Sequence, residues 1–333
     1  MAKVTLVQIV YNAMKYIPKS FDSMVNQTYQ DIEIVAVING NEDGSKEYIQ
    51  KNYPGVTIID PGENLRFVRG CNLVFEKYKD TEFFQLVNDD LWLEPSYVEK
   101  MVAVFDDPRV GAAQGKIYQY DFKTHQQSKR IDTTGIIYGK TGGGRSRGQH
   151  ELDEGQYDQQ KQLLVVDGAA PMFRRSALED IKYKRPDGTY EYFDVDFDMY
   201  WDDSDISLRL VNEGFSCTFV PEAVAHHGRT ASSSEGGYKK VLAFIKFHKT
   251  IAPWIRQNNF KNHIFLFIKN SPKWYPQFFV REFFYQCFVL VFETSTLKIL
   301  PTLFKQLPLM WKKRKYIQEH RKISVEQFEK LLS

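Results

Sequence analysis

The sequence predicts an α/β fold in which a mainly parallel sheet is flanked by helices and followed by a C-terminal helical extension. Short runs rich in Val, Ile or Phe alternate with helix-compatible segments through the first hundred residues, which is the pattern of βαβ units. Polar clusters follow the second and fourth of these runs, at the strand ends where such sheets bind ligands. Beyond about residue 235 the chain becomes basic and aromatic, which favours a separate helical region.

The N-terminal elements follow one another as strand, helix and strand. Each predicted strand is a short apolar run bounded by turn residues. We expect strands at residues 4–10, 33–38, 56–60 and 83–87, and helices at 15–26, 45–52 and 69–78. Residues 139–155 are rich in glycine and charge, and they fit a disordered connector and a lid over an active site equally well.

Charge is divided unevenly along the chain. The whole sequence has a net charge of +2, yet residues 238–322 carry 17 Lys and Arg against three acids. We therefore expect an acidic catalytic domain at 1–235 and a basic, aromatic, membrane-associating region at 236–333. The cysteines, Cys71, Cys217 and Cys287, are far apart, which argues against disulfides or a zinc site and favours a cytoplasmic protein.

Two acidic clusters and a histidine pair carry the chemistry. Asn88, Asp89 and Asp90 end an apolar run, where carboxylates can hold a divalent ion on a diphosphate; the alternative is an acidic turn. Residues 194–205 lead into a predicted helix, so the acids there serve as N-caps or supply a general base beside Trp201. One histidine of the pair at 226–227 is a candidate metal ligand.

These motifs together resemble family 2 glycosyltransferases, whose fold is the Rossmann-like GT-A fold. The resemblance covers about two-thirds of the chain, in the family's order. It rests on Ile9-Val10-Tyr11-Asn12, Gln27-Thr28-Tyr29, Glu33-Ile34-Val35, the segments NGNEDGS at 39–45 and NLRFVRGCN at 64–72, Asn88-Asp89-Asp90 at the DxD position, Trp201-Asp202-Asp203-Ser204-Asp205, and His227.

The resemblance implies an inverting, metal-dependent transfer of a sugar from a nucleotide diphosphate to an acceptor hydroxyl. It implies that Asp203 is the catalytic base, and that Asp90 and His227 bind Mg²⁺ or Mn²⁺, with His226 as the competing histidine. The implied donor-binding residues are Tyr11, Asn39, Asp43, Arg69, Asn72 and Asp89, and the implied acceptor-binding residues are Gly168, Ala169, Trp201 and Asp202.

A narrower likeness concerns the sugar. Residues 147–158 and 166–178 resemble bacterial rhamnosyltransferases. That group implies dTDP-L-rhamnose as donor and a polyprenyl-diphosphate-linked glycan as acceptor. A UDP-hexose donor is the alternative.

The C-terminal region predicts helices that lie on a membrane. The apolar run at 283–292 is too short to cross a bilayer, and Phe304, Leu307 and Trp311 recur at helical spacing beside a basic run at 312–315. Pro308 is expected to separate two helices. A basic helix with an aromatic face predicts association with an anionic membrane surface, at the inner face of the plasma membrane; an ordinary helical cap is the alternative.

Other functions are less consistent with the motifs. A nucleotidyl- or phosphoryl-transferring enzyme would share a metal site at a sheet edge, but the chain has no P-loop. A non-catalytic nucleotide-sugar or glycan-binding protein would not need both Asp203 and Asp90. Nucleic-acid binding suits the basic region but not the acidic remainder of the chain.

Overall fold

A large mixed sheet with helices on both faces forms the N-terminal part of the protein. The computed structural model describes residues 2–40, 42–228 and 250–333. Its strands are β1 (Val4–Val10), β2 (Ile32–Ile38), β3 (Thr57–Ile59), β4 (Phe83–Leu86), β5 (Leu91–Leu93), β6 (Val110–Asp121), β7 (Gln126–Thr133), β8 (Ile136–Tyr138), β9 (Gly144–Ser146), β10 (Gln162–Leu163), β11 (Pro171–Arg174), β12 (Tyr183–Lys184), β13 (Tyr190–Glu191) and β14 (Ser216–His227).

Helices alternate with the first strands and dominate the C-terminal region. They are α1 (Ile17–Val25), α2 (Ser45–Asn52), α3 (Arg66–Lys77), α4 (Tyr97–Ala103), α5 (Arg175–Ile181), α6 (Asp202–Asn212), α7 (Pro253–Asn270), α8 (Pro276–Phe292), α9 (Leu300–His320) and α10 (Val325–Glu329), with short 3₁₀ turns at Val104–Asp106 and Thr294–Ile299.

The strand order of the main sheet is β10-β14-β6-β11-β4-β1-β2-β3. The run β4-β1-β2-β3 is parallel, as the βαβ pattern predicts. Beyond it β11 runs antiparallel between β4 and β6, and β14 is again parallel to β6. The predicted α/β class with helices on both sides of the sheet is confirmed, and the carboxyl ends of β1, β2 and β4 meet at one edge.

Two apolar clusters pack against the sheet. The hydrophobic side chains of each central strand alternate between them: Val7 and Val35 belong to one cluster, and Leu6 and Ala36 to the other. The first cluster also contains Phe260, Leu266 and Met310 from the C-terminal helices. The C-terminal region is therefore packed on the sheet and its helices.

Residues 139–155 are folded rather than a disordered connector. They include β9, which pairs with β8, and Arg147, whose guanidinium donates to the Thr134 carbonyl oxygen at 2.8 Å. Gly142 has a φ of +70°, and a Cβ there would lie 2.7 Å from the Phe278 ring. Glycine is thus required where this hairpin meets α8.

The C-terminal region differs from the prediction at one proline. Pro308 lies inside α9 rather than between two helices. Burial of Leu303 and Met310 on either side of it holds the helix together despite the missing amide hydrogen. The predicted domain boundary at 235 lies outside the described residues.

Length and hydropathy exclude a simple membrane span by any one helix in the described ranges. The pair formed by Pro276–Phe292 and the following segment 294–320 would meet both criteria together, but its two parts are bent by 109°.

Candidate active site

The predicted polar residues gather at the carboxyl edge of the parallel strands. Asn39 follows β2, and its amide donates to the Val10 carbonyl oxygen at the end of β1. The segment Asn88-Asp89-Asp90 follows β4, and the backbone amide of Asn88 donates to the Ala169 carbonyl oxygen at 3.0 Å. The structure therefore brings the expected donor and acceptor segments to the same edge.

Asp89 and Asp90 are adjacent carboxylates of limited exposure. The backbone amide of Tyr11 donates to Asp89 Oδ2 at 3.4 Å, while the Tyr11 side chain is half exposed above this edge. Burial and then repulsion by Asp90 raise the pKa of Asp89 to about 7. The cost of two neighbouring negative charges makes this position suited to a cation.

His227 links Asp90 to a second carboxylate. Its Nε2 lies 3.0 Å from Asp90 Oδ1, and its Nδ1 lies 2.9 Å from Asp132 Oδ2. Burial disfavours the imidazolium, but Asp90 and Asp132 outweigh this effect and raise the pKa of His227 to about 10. Asp132 can keep a hydrogen on Nδ1, which leaves Nε2 to face an ion beside Asp90.

His226 points away from this cluster. Successive side chains of a strand alternate between faces, and His226 stacks on Trp92 at a centroid distance of 4.0 Å with its Nε2 3.0 Å from Glu94. Of the two histidines, His227 is therefore the one beside Asp90.

A divalent ion fits this cluster only with help from a ligand. No group of three or more His, Cys, Asp and Glu side chains is arranged to hold a metal by itself in the described parts of the chain. Asp90 Oδ1 and His227 Nε2 offer one hard oxygen and one imidazole nitrogen at the same point. A diphosphate would supply the remaining oxygens, as is usual for Mg²⁺ and Mn²⁺ on nucleotides.

Two of the predicted donor residues, Asn39 and Asp43, hold the loops at this edge of the sheet together. Asn39 is 3% exposed, and its Oδ1 accepts from the Leu65 amide at 2.6 Å. Asp43 accepts from the Met14 amide at 2.8 Å and from the Ser45 hydroxyl at 2.6 Å. These bonds tie the loops after β1, β2 and β3 together around the half-exposed Tyr11.

Asn72 makes three hydrogen bonds to the backbone of a distant segment. Its Nδ2 donates to the Phe193 carbonyl oxygen at 2.8 Å, and its Oδ1 accepts from the amides of Tyr192 and Phe193. Asn72 thus fastens α3 to the segment before α6, and its role in donor binding stays a prediction. Arg69 is on the exposed side of α3, and no hydrogen bond from its side chain to the backbone is among the contacts described. It stays a candidate for binding the diphosphate.

Asp203 lies in the first turn of α6, against the Gly168–Ala169 segment. Its Oδ2 accepts from the Gly168 amide at 3.0 Å, and its Oδ1 accepts from the Ser204 amide at 2.6 Å. Burial, followed by repulsion from Asp202 and Asp167, raises the pKa of Asp203 to about 8. A carboxylate with a pKa near the working pH is well suited to take a proton from a hydroxyl.

The chain leading into α6 is conformationally strained. Asp198, Tyr200 and Trp201 all have φ between +62° and +68°, a region that costs L-residues energy. Trp201 donates from Nε1 to Asn259 Oδ1 at 3.0 Å, and its ring lies 3.3 Å from the Cβ position of Gly144. The strain is held by α7 and the β8–β9 hairpin, and it places Trp201 and Asp202 beside Asp203.

Four important residues of this region were not expected from the sequence. Asp132 orients His227, and Asp167 accepts from the Ala169 amide at 3.1 Å. Lys269 lies 2.5 Å from Asp194 and 2.8 Å from Asp205, while Lys313 lies 2.6 Å from Asp194. Buried cations of the C-terminal helices thus neutralise the acidic segment that precedes and enters α6.

Comparison with known proteins shows the family. The family described as Glycosyl transferase family 2 matches residues 5–182, which is more than half of the chain. An uncharacterized glycosyltransferase of Haemophilus influenzae is 31% identical over 106 residues, covering 31% of this chain and 32% of the relative. The chain therefore spans about a third of that relative's length.

A longer but weaker match is the N-acetylglucosaminyl-diphospho-decaprenol L-rhamnosyltransferase of Mycobacterium tuberculosis. It is 20% identical over 67% of this chain and 75% of the relative. Among solved structures, GalNAc-T7 with UDP, GalNAc and Mn²⁺ has a TM-score of 0.61 at 13% identity, covering 97% of this chain and 58% of that one. The observed sheet with its flanking helices is that of the GT-A fold. The chain belongs to the family 2 glycosyltransferases.

Proposed function

We propose that this protein transfers a sugar from a nucleotide diphosphate to an acceptor hydroxyl with inversion, using a divalent metal. One observation carries the proposal. The Gly168–Ala169 segment bonds Asp203 through its first amide and Asn88 through its last carbonyl, so a candidate base and the Asn88–Asp90 segment share one edge. A hydroxyl held beside Gly168 would lie between the base and the diphosphate-binding side chains.

Each part of the proposed site has a chemical task. Asp203 accepts the proton of the attacking hydroxyl, and its raised pKa makes it a stronger base than an ordinary carboxylate. Asp90 and His227 would hold Mg²⁺ or Mn²⁺, which when bound neutralises charge on the leaving diphosphate. Trp201 and Asp202, with the small residues Gly168 and Ala169, leave room for the acceptor and orient it.

The proposed donor is dTDP-L-rhamnose. Tyr11 can cover a pyrimidine face from its half-exposed position, with Asn39 and Asp43 shaping the loops around the base. The mycobacterial relative is named as a rhamnosyltransferase, which supports this sugar. A UDP-hexose is the second candidate, supported by the UDP in the GalNAc-T7 structure.

The proposed acceptor is a glycan on a polyprenyl diphosphate, at the cytoplasmic face of the plasma membrane. The diphospho-decaprenol in the name of the mycobacterial relative supports this class. The basic C-terminal region is proposed to associate with the anionic membrane surface where such acceptors reside. Residues 1–235 are proposed as the catalytic domain and 236–333 as the membrane-associating region.

A donor-hydrolysis and competition assay tests the function. With Mn²⁺ present, the protein should release dTDP from dTDP-L-rhamnose, and chelation should stop this release. Free dTDP should compete with the donor, since diphosphate and metal supply much of the affinity. Tighter binding of a UDP-hexose, without competition by dTDP-rhamnose, would refute the rhamnosyl assignment. Absence of any metal-dependent hydrolysis or transfer with every donor would refute the enzyme itself.

A further inference from the structure

The exposed side chains of α8 are all apolar from Phe279 to Phe292. Its exposed side chains include Phe279, Val280, Phe283 and Phe284 in the first half and Leu290, Val291 and Phe292 in the second. Phe283 and Phe284 are 65% and 66% exposed. A helix on the surface of a water-soluble protein normally presents polar residues on this side, so α8 is built to face a non-aqueous partner.

Aromatic residues extend this face beyond α8. Trp274 lies between the two helices, with its ring 6.2 Å from Phe279 and 5.7 Å from Trp311 of α9. Phe304, about two turns before Trp311 on α9, is 63% exposed. The indole rings of Trp274 and Trp311 are each more than two-fifths exposed. Tryptophan is the residue favoured at the boundary between headgroups and acyl chains.

The exposed charges from the 3₁₀ turn after α8 to the end of α9 are almost all positive. Lys298, Lys305, Lys312 and Lys315 are exposed on the 3₁₀ turn and α9. The acids Glu282 and Glu293 are buried, and Glu319 lies 3.8 Å from Lys315. Lysines at the rim of an apolar face complement the negative charge of a phospholipid surface.

The buried side of the same helix faces the candidate active site. Glu282 Oε1 lies 2.8 Å from His263 Nε2, and the His263 ring lies 6.4 Å from the Trp201 ring, centroid to centroid. Arg281 reaches the Thr141 carbonyl oxygen at 3.5 Å, on the hairpin whose Gly144 touches Trp201. One helix, about 10 Å across, therefore separates the apolar face from the elements that support Trp201.

We propose that the outer face of α8, together with Trp274 and Trp311, inserts into the interfacial layer of an anionic bilayer. At 17 residues and roughly 1.5 Å per residue, α8 is too short to span the acyl layer and suited to lie within its boundary. Insertion brings the acceptor side of the site to the membrane surface, where a polyprenyl-diphosphate-linked sugar can reach Asp203. This last step rests on the proposed function; the insertion itself does not.

Vesicle binding by the full chain tests the insertion. The variant Phe283→Ser/Phe284→Ser removes the two most exposed rings of the α8 face, and Leu152→Ser/Tyr190→Ser removes two comparably exposed side chains from the catalytic part as a control. On vesicles of phosphatidylcholine mixed with phosphatidylglycerol, we expect the first variant to bind at least tenfold more weakly than the wild type. The control should bind as the wild type does.

Salt and fluorescence separate insertion from surface attraction. Wild-type binding should persist in part when salt is raised to about 1 M, where screening acts within about 3 Å. Brominated acyl chains should quench wild-type fluorescence, and Trp274→Phe/Trp311→Phe should remove that quenching. The proposal would be overturned if vesicle binding disappeared in high salt and were as strong for Phe283→Ser/Phe284→Ser as for the wild type. It would also be overturned if the wild type bound no vesicles and formed a dimer that Phe283→Ser/Phe284→Ser dissociates, because the apolar face of α8 would then pack against a second copy of the chain.

Hydrolysis of the nucleotide sugar keeps the two proposals apart. Phe283→Ser/Phe284→Ser should hydrolyse dTDP-L-rhamnose in solution at the wild-type rate, because both substitutions lie on the outer face of α8, away from the candidate active site. Vesicle binding without hydrolysis of any donor would sink the proposed function and leave the insertion standing. Hydrolysis of a donor without vesicle binding would overturn the insertion and leave the proposed sugar transfer standing.

Discussion

Replacing Asp203 by Asn should lower turnover roughly a hundredfold or more while making the protein more stable at alkaline pH. Asp203 is half-buried beside Asp202 and Asp167, and its pKa is raised from 3.8 to about 8. The neutral acid is tolerated and the charged base is not. Stability that depends on this proton is complete below the unfolded pKa and is lost as pH rises through about 8. Asn carries no charge at any of these pH values.

The size of the effect follows from the range of pH in which only the native state holds the proton. Each pH unit in that range costs about 1.4 kcal/mol of stability. From about pH 5 to the native pKa the cost reaches on the order of 4 kcal/mol. An Asn amide facing the Gly168 amide would cost about 1–3 kcal/mol, but this penalty does not depend on pH and cancels in the comparison.

Denaturant unfolding at about pH 5 and about pH 9 measures the difference. Asp203→Asn should gain on the order of 4 kcal/mol over the wild type between the two conditions, and exposed Asp187→Asn should gain almost nothing. Turnover of Asp203→Asn should fall roughly a hundredfold or more while donor binding persists. An equal stability difference at both pH values would refute the burial argument, and near-normal turnover would remove Asp203 from the mechanism.

The other predictions concern the metal and the buried lysines. Asp90→Ala should abolish metal-dependent turnover and His227→Ala should weaken it; unchanged metal dependence in both would refute this site. Asp132→Asn should weaken metal affinity roughly 10- to 100-fold, measured by titration of Mn²⁺, with activity recovering at saturating metal; unchanged affinity would show that Asp132 does not orient the histidine. Lys313→Met should destabilise the protein by about 3–5 kcal/mol in denaturant unfolding. Lys312→Met, at the exposed neighbouring position, should destabilise it by less than about 0.5 kcal/mol; equal effects would contradict the buried network.

The parallel strands could be predicted because their signal is local. An apolar run bounded by turn residues predicts β1 over its full observed length, and α2 begins and ends where expected. β4 ends one residue before the predicted limit at 87. The placement of Asn39 and Asp90 at one edge then follows from the geometry of parallel strands, with no further information from side chains.

The partner of His227 could not be predicted in this way. Asp132 is separated from His227 by 95 residues in the sequence. Their strands, β7 and β14, come near each other only because both pair with β6. Register across three strands decides which carboxylate reaches the imidazole. No local pattern around Asp132 in the sequence carries that information, so the residue could be found only from the tertiary structure.

The buried lysine carries a signal that a helical projection can detect. Met310, Lys313 and Ile317 follow one another at spacings of three and four, which places them on one face of α9. The same projection puts Lys312 and Lys315 on the exposed side. Taking the basic run at 312–315 as uniformly solvated conceals this difference, because composition counts charges without assigning them to faces.

The uneven distribution of charge along the chain therefore has two causes. Lys269 and Lys313 are at most 2% exposed, and they neutralise acids of the catalytic part within the protein. A chain cut near residue 235 would leave Asp194 and Asp205 buried without these cations, so its loss of membrane binding could reflect misfolding. Among the described residues of the C-terminal region, the exposed lysines of the second 3₁₀ turn and α9 remain to meet an anionic surface. Point variants on the outer face of α8 separate these two roles of the basic region, and a truncation cannot.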